Sequence, residues 1–185
     1  MNEQRRGRGI LAYLFLANAI TWLCWVPAVI LAERHDYLLP TIDNFVALVR
    51  TGFVDTQHVL LALIFQLGVY GPLAAAIAAL AIESDQDDLA RWWQQLVRWR
   101  IAPRWYLIAL AMAVALPLLP TLLVAVVGLS DLPFSGMGGW LPYLLPLFLV
   151  QLLTSGLGEE PGWRGYLLPR FQQRFDGDGA IWRLG

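Results

Sequence analysis

The stretch Glu159-Glu160-Pro161-Gly162-Trp163-Arg164-Gly165 places two adjacent carboxylates and an arginine directly after an apolar run, WLPYLLPLFLVQLLTSGL. A carboxylate in partly dry surroundings gains proton affinity and can serve as general base toward a water molecule. A second carboxylate paired with an arginine stays ionised and can orient the first. The spacing distributes these parts. Gln151, Ser155 and Glu159 recur every four residues, so on a continuous helix they share one face, with Thr154 beside it. A polar stripe of this kind on a membrane helix belongs inside a bundle. Glu160 and Arg164 are also four apart and can pair on an adjacent face. Pro161 disfavours helical backbone at Glu160 and predicts a kink or a helix restart there. Gly158, Gly162 and Gly165 permit another backbone to come close. The plainer reading is a helix end whose charges meet water.

The elements that must position these residues are membrane helices. Of 185 residues, 58% are hydrophobic, above the share of an ordinary soluble domain. Four runs reach the roughly 20 residues needed to cross a bilayer: 10–32, 59–82, 106–129 and 140–158. None carries a charge. The fold expected is therefore all-α, a polytopic membrane protein with four transmembrane helices, since lipid leaves open backbone groups unsatisfied. The first run follows a basic segment as a signal peptide does, but it is too long for one. All basic residues are arginines, and eleven of them fall in the N-terminus, the 83–105 loop and the tail. Only Arg34 and Arg50 occupy the intervening loops. That asymmetry places both termini in the cytoplasm, and the localisation expected is a bacterial plasma membrane. Each run contains proline (Pro27, Pro72, Pro117 with Pro120, Pro142 with Pro146), which predicts kinks. A net charge of −1 gives no support to a nucleic-acid partner.

The other chemistry-bearing residues read as structural. The segment RWWQQLVRWRIAPRWY (91–106) mixes arginines with Trp92, Trp93, Trp99 and Trp105, as an aromatic belt at a membrane surface does. Glu83, Asp85, Asp87 and Asp88 before it read as a solvated helix start. His35 and His58 are 23 residues apart in the 33–58 segment and read as ordinary loop histidines rather than metal ligands. Cys24 reads as a small buried hydrophobe. Asp176-Gly-Asp-Gly lacks the alternating ligands and closing glutamate of a calcium loop and reads as a turn.

Within GEEPGWRGYLLP, after a membrane span, the EExxxR pattern resembles the first motif of the CPBP family. These are the CAAX-protease and bacteriocin-processing membrane proteins, also called Abi proteins. The continuation GYLLPRFQQRF and, less specifically, WRIAPRWYLIAL (99–110) are similar to the family's bacterial members. The resemblance implies a helical membrane endopeptidase that hydrolyses membrane-associated peptide or protein substrates, as in CAAX-type processing. It makes Glu159 the water-activating base and Glu160 and Arg164 the residues that organise it. It further implies a divalent metal such as zinc as a candidate cofactor, which is held open.

The family pattern continues downstream with FxxxH and a later HxxxN or HxxxD-like motif, and neither occurs in this sequence. His35 and His58 lie upstream with the wrong spacing and inherit no role. The expectation is a single membrane domain over 1–185, the N-terminal part of a longer bundle that holds the acid half of a site. Partners expected are the lipid bilayer, a membrane-associated substrate and a second chain that completes the bundle. The alternative to an active protease is a truncated, catalytically inactive membrane binding or interaction protein. A carrier that uses the carboxylate as a proton relay is a third reading.

Overall fold

Every long helix of this chain is apolar nearly all round, so residue size, not polarity, decides which faces meet. The computed structural model describes residues 3–83, 86–97, 100, 102–128 and 141–174. The chain divides into two units, 1–97 with 145–185, and 98–144. In the first, α1 (Glu3–Arg34) buries Tyr13, Ala17, Ala28 and Ala32. Tyr13 and Ala17 pack with Ala75, Ala76 and Ala79 of α4 (Gly71–Glu83) in one core. Small side chains on both faces let the two backbones approach closely, which is how membrane helices gain packing energy when lipid is as apolar as the core. Large side chains such as Leu11, Phe15 and Leu23 point outward.

The run expected as one span over 59–82 is two helices. α3 (Thr56–Val69) starts at Asp55, whose side chain caps it by accepting the His58 N–H. α3 and α4 meet at Tyr70 with a 48° bend. Pro72 stands in the first turn of α4 and has no N–H to continue the preceding helix, which accounts for the break. Together they run antiparallel to α1. The Trp25 indole donates to Phe65 O at 3.0 Å, Thr21 donates to Gly68 O at 2.9 Å, and Gly9 lies against Glu83. Between α1 and α3, where a loop is expected, residues Phe45–Thr51 form the short α2, which ends at Gly52 with φ of 70°. Helix α5 (Gln86–Leu96) follows α4. In the second unit, α6 (Pro103–Val126) begins with proline in its first turn.

α1 from Gly7 to Arg34 and α6 are long and apolar enough to cross a membrane, and α3 with α4 make a third span if the bent pair is counted as one. The fourth expected run is the shorter apolar helix Pro142–Gly156. The helix also does not end at Gly158. After α7 (Leu141–Gln151) the chain widens into a π-helical turn, Leu152–Gly156, in which the Leu157 N–H reaches Leu152 O. A second π-helical segment, Pro161–Leu167, passes directly into α8 (Leu168–Arg174). A turn at Glu159 interrupts the helix, which resumes at Pro161 as the sequence predicts, although Glu160 itself keeps helical backbone. A wider turn lets the helix absorb a residue that has no N–H and whose ring crowds the preceding turn. Asp85, Trp99 and the turn at 176–179 lie outside the described residues.

Candidate functional site

Two glycines set the height of the motif helix. A Cβ on Gly158 would stand 2.7 Å from Val69 O, and one on Gly162 would stand 2.5 Å from Pro72 O. Any larger residue would push the helix away, so Glu159 is carried against the break between α3 and α4. That break faces the middle of α1, because Gly71 abuts Thr21 and the carbonyl of Ala17. Glu159 therefore stands level with the centre of the α1 apolar length, not at the mouth of a span as the sequence suggests. Fourteen further helical positions carry the chain past it to Arg174.

The adjacent carboxylates have different surroundings. Glu159 lines two cavities that share Trp25 and Val69 as walls. One, of about 250 Å³, is bounded by Asn18, Thr21, Trp22 and Trp163. The other, of about 220 Å³, runs from Pro40 and Thr41 past Gln66, Gln151, Thr154 and Ser155. The stripe of Gln151, Ser155 and Glu159 thus faces a single space despite the π-helical turn between its members. Glu160 and Arg164 instead line a larger, mostly apolar cavity of about 600 Å³ with Tyr70, Trp93 and Leu96. Arg164 Nη1 donates to Glu160 Oε2. No group hydrogen-bonds the Glu159 carboxylate among the described residues.

Sequence reasoning missed the residues that hold this helix in place. Glu83, expected as part of a solvated helix start, is buried, and so is Tyr166. The Tyr166 hydroxyl donates to Glu83 Oε1 at 2.9 Å, and Arg170 donates to both carboxylate oxygens, at 3.3 Å from Nε and 2.5 Å from Nη2. The Arg170 guanidinium also lies 3.8 Å from the Tyr166 ring centroid. A buried carboxylate costs several kcal/mol unless its oxygens are met in this way. The available signal was Tyr166 and Arg170, four apart and on one face, downstream of the motif. Trp92, expected in an exposed belt, is also buried, and its indole donates to Pro161 O at 3.3 Å. Trp93 and Trp105 are exposed as expected. Tyr13 packs edge-on against Trp163 and beside Tyr166, and its buried hydroxyl has no partner among the described residues.

The histidines lie at the other end of α1. His58 is buried, with its Nε2 2.7 Å from Leu38 O and its Nδ1 accepting the Val54 N–H. Tyr37 stacks between His58 and His35. The Tyr37 hydroxyl donates to Asp55 Oδ2 at 2.5 Å. That bond, helped by the His58 N–H, holds the Asp55 carboxyl below the usual carboxylate range, and it raises the Tyr37 phenol above its ordinary value. Both histidines therefore serve the loop. Among the described residues no three of His, Cys, Asp and Glu cluster so as to hold a metal ion. The neighbours of Glu159 are amides, hydroxyls and indoles, which do not suit a divalent metal such as zinc.

Residues 140–184 match the family model described as Type II CAAX prenyl endopeptidase Rce1-like. The match contains the whole of the Glu159–Arg164 motif and the helix that carries it. No curated protein and no solved structure matches the chain.

Proposed function

We propose that this chain is a CPBP-type membrane protein that binds a membrane-embedded peptide at the Glu159 cavities without turning it over. The observation that supports this reading is the company Glu159 keeps. It lines two cavities at mid-height of α1, with neither an imidazole nor a metal-ligand set beside it among the described residues. Base assistance and stabilisation of a developing oxyanion each contribute factors of roughly 10²–10⁴ in hydrolysis. A glutamate alone retains little of that. It still offers an acceptor to the N–H groups of an extended peptide. The arginine asymmetry supports four spans with both termini in the cytoplasm, in a bacterial plasma membrane.

The test is binding and cleavage of a fluorescent membrane peptide by the purified chain in nanodiscs. Saturable binding, weakened about tenfold by Glu159→Ala, with intact peptide recovered, is the expected result. Turnover abolished by Glu159→Ala would overturn the binding-only reading and establish the second one. That second reading is endopeptidase activity with Glu159 as water-activating base and Glu160 and Arg164 as its organisers. It is favoured by the carboxylate lacking a protein partner beside a cavity large enough for water. It requires histidines other than His35 and His58, such as those of a second chain that completes the bundle.

A further inference from the structure

The carboxylate of Glu159 stands level with the middle of α1 and accepts no hydrogen bond from any described residue, so at that depth it calls for water or another polar partner. The two cavities beside it differ in how they could meet that need. In the 250 Å³ cavity the polar walls are already satisfied: Asn18 donates to Leu14 O at 2.8 Å and Thr21 donates to Gly68 O. The 220 Å³ cavity is different. Besides Glu159 it is lined by two carboxamides, Gln66 and Gln151, and by Thr41, Thr154 and Ser155. Thr154 donates to Val150 O and lies 3.4 Å from Gln151 Oε1, but the Gln66 side chain has no hydrogen bond to any described residue. A dry amide costs about 1–3 kcal/mol, and a water molecule needs ~30 Å³ and two or more polar partners. The cavity supplies both room and partners. One end of it is formed by Pro40, Thr41, Ile42 and Phe45, which belong to the connection between α1 and α3.

We infer that this cavity is a water path that brings bulk water from the α1–α3 connection down to Glu159, past Thr41, Gln66, Gln151, Thr154 and Ser155. The path does not depend on catalysis. It hydrates the carboxylate whether the protein binds a peptide or hydrolyses one, and it sets the face of the membrane from which protons and water arrive.

The experiment is cysteine accessibility in sealed vesicles of each orientation, in a Cys24→Ala background, with a charged, membrane-impermeant methanethiosulfonate reagent. Val54→Cys, at a highly exposed position, marks the face that carries the connection. Ser155→Cys is expected to react from that same face, about tenfold faster than Leu153→Cys, whose exposed side chain does not line the cavity. Thr41→Trp, which narrows the outer end, should slow the Ser155→Cys reaction about fivefold or more. Gln66→Cys reads the opposite wall and keeps the test valid if Ser155→Cys does not fold. Reaction only from the opposite face, or at the rate of Leu153→Cys, would overturn the proposal. No peptide is present in this assay, so its result stands apart from any failure of the binding reading.

Discussion

One helix carries two acid–arginine contacts, and they are built in opposite ways. Arg170 reaches both oxygens of Glu83 across the fold, with side chains 15% and 0% exposed, and Tyr166 also donates to Oε1. Arg164 reaches Glu160 one turn away on its own helix, with side chains 74% and 45% exposed. The first has surrendered its hydration and stands only because every partner is in place, so it acts as an anchor. The second keeps much of its water and holds nothing together, which leaves it available to a ligand. Glu159 precedes both arginines on this helix and has neither kind of partner among the described residues. A rigid attachment below it and a soft pair beside it keep that carboxylate in position without neutralising it.

The comparison is broken most severely at the anchor. Arg170→Met leaves a buried carboxylate with no cation and should cost about 3–5 kcal/mol, measured by denaturant titration in mixed micelles. The double change Glu83→Leu with Arg170→Met removes both charges and should recover most of that loss. If the single change were neutral, the pair would be no anchor. Next comes Gly162→Val, which drives a side chain onto Pro72 O and should cost about 1–3 kcal/mol while it displaces Glu159. The expected sign is a loss of peptide binding greater than the loss of fold. Smaller again is Arg164→Gln, which should change stability by no more than about 1 kcal/mol because the pair is solvated. A loss like that of Arg170→Met would erase the distinction between the two contacts.

The smallest effect concerns the Tyr37–Asp55 bond at the far end of α1. Asp55 has a depressed folded pKa, so its contribution is present at neutral pH and is lost as pH falls through that value, below about pH 4. Tyr37 is shifted upward, so its contribution holds below about pH 10 and is lost as pH rises through its raised value. Hydrogen exchange in the 36–55 segment should therefore quicken at both extremes. Tyr37→Phe should remove the alkaline part and weaken the acidic part, since the largest cause of the Asp55 shift is then gone.

Hydropathy was sufficient to read the class of fold, because a run without charges long enough to cross a bilayer admits few structures other than a helix. It read α1 and α6 closely, and it read the motif residues as a unit, since side chains four apart meet on any helix. It read Trp92 and Glu83 as surface residues, because their neighbours in sequence are charged, whereas in space Trp92 meets Pro161 O and Glu83 meets Tyr166 and Arg170. His58 was read as a loop residue for the same reason, although Leu38 O and Val54 N enclose its ring.

The sequence by itself determined that this protein is helical, is rich in membrane-length apolar segments and carries a Glu-Glu-x-x-x-Arg group on a helix. Those properties depend on composition and on spacings of a few residues. Only the tertiary structure decided the height of Glu159 along α1, the separation of the two carboxylates into different cavities and the burial of Glu83 against Arg170. Each of these depends on contacts between residues tens of positions apart. They rest on where glycine lets two backbones touch and on how a π-helical turn carries the chain through Pro161.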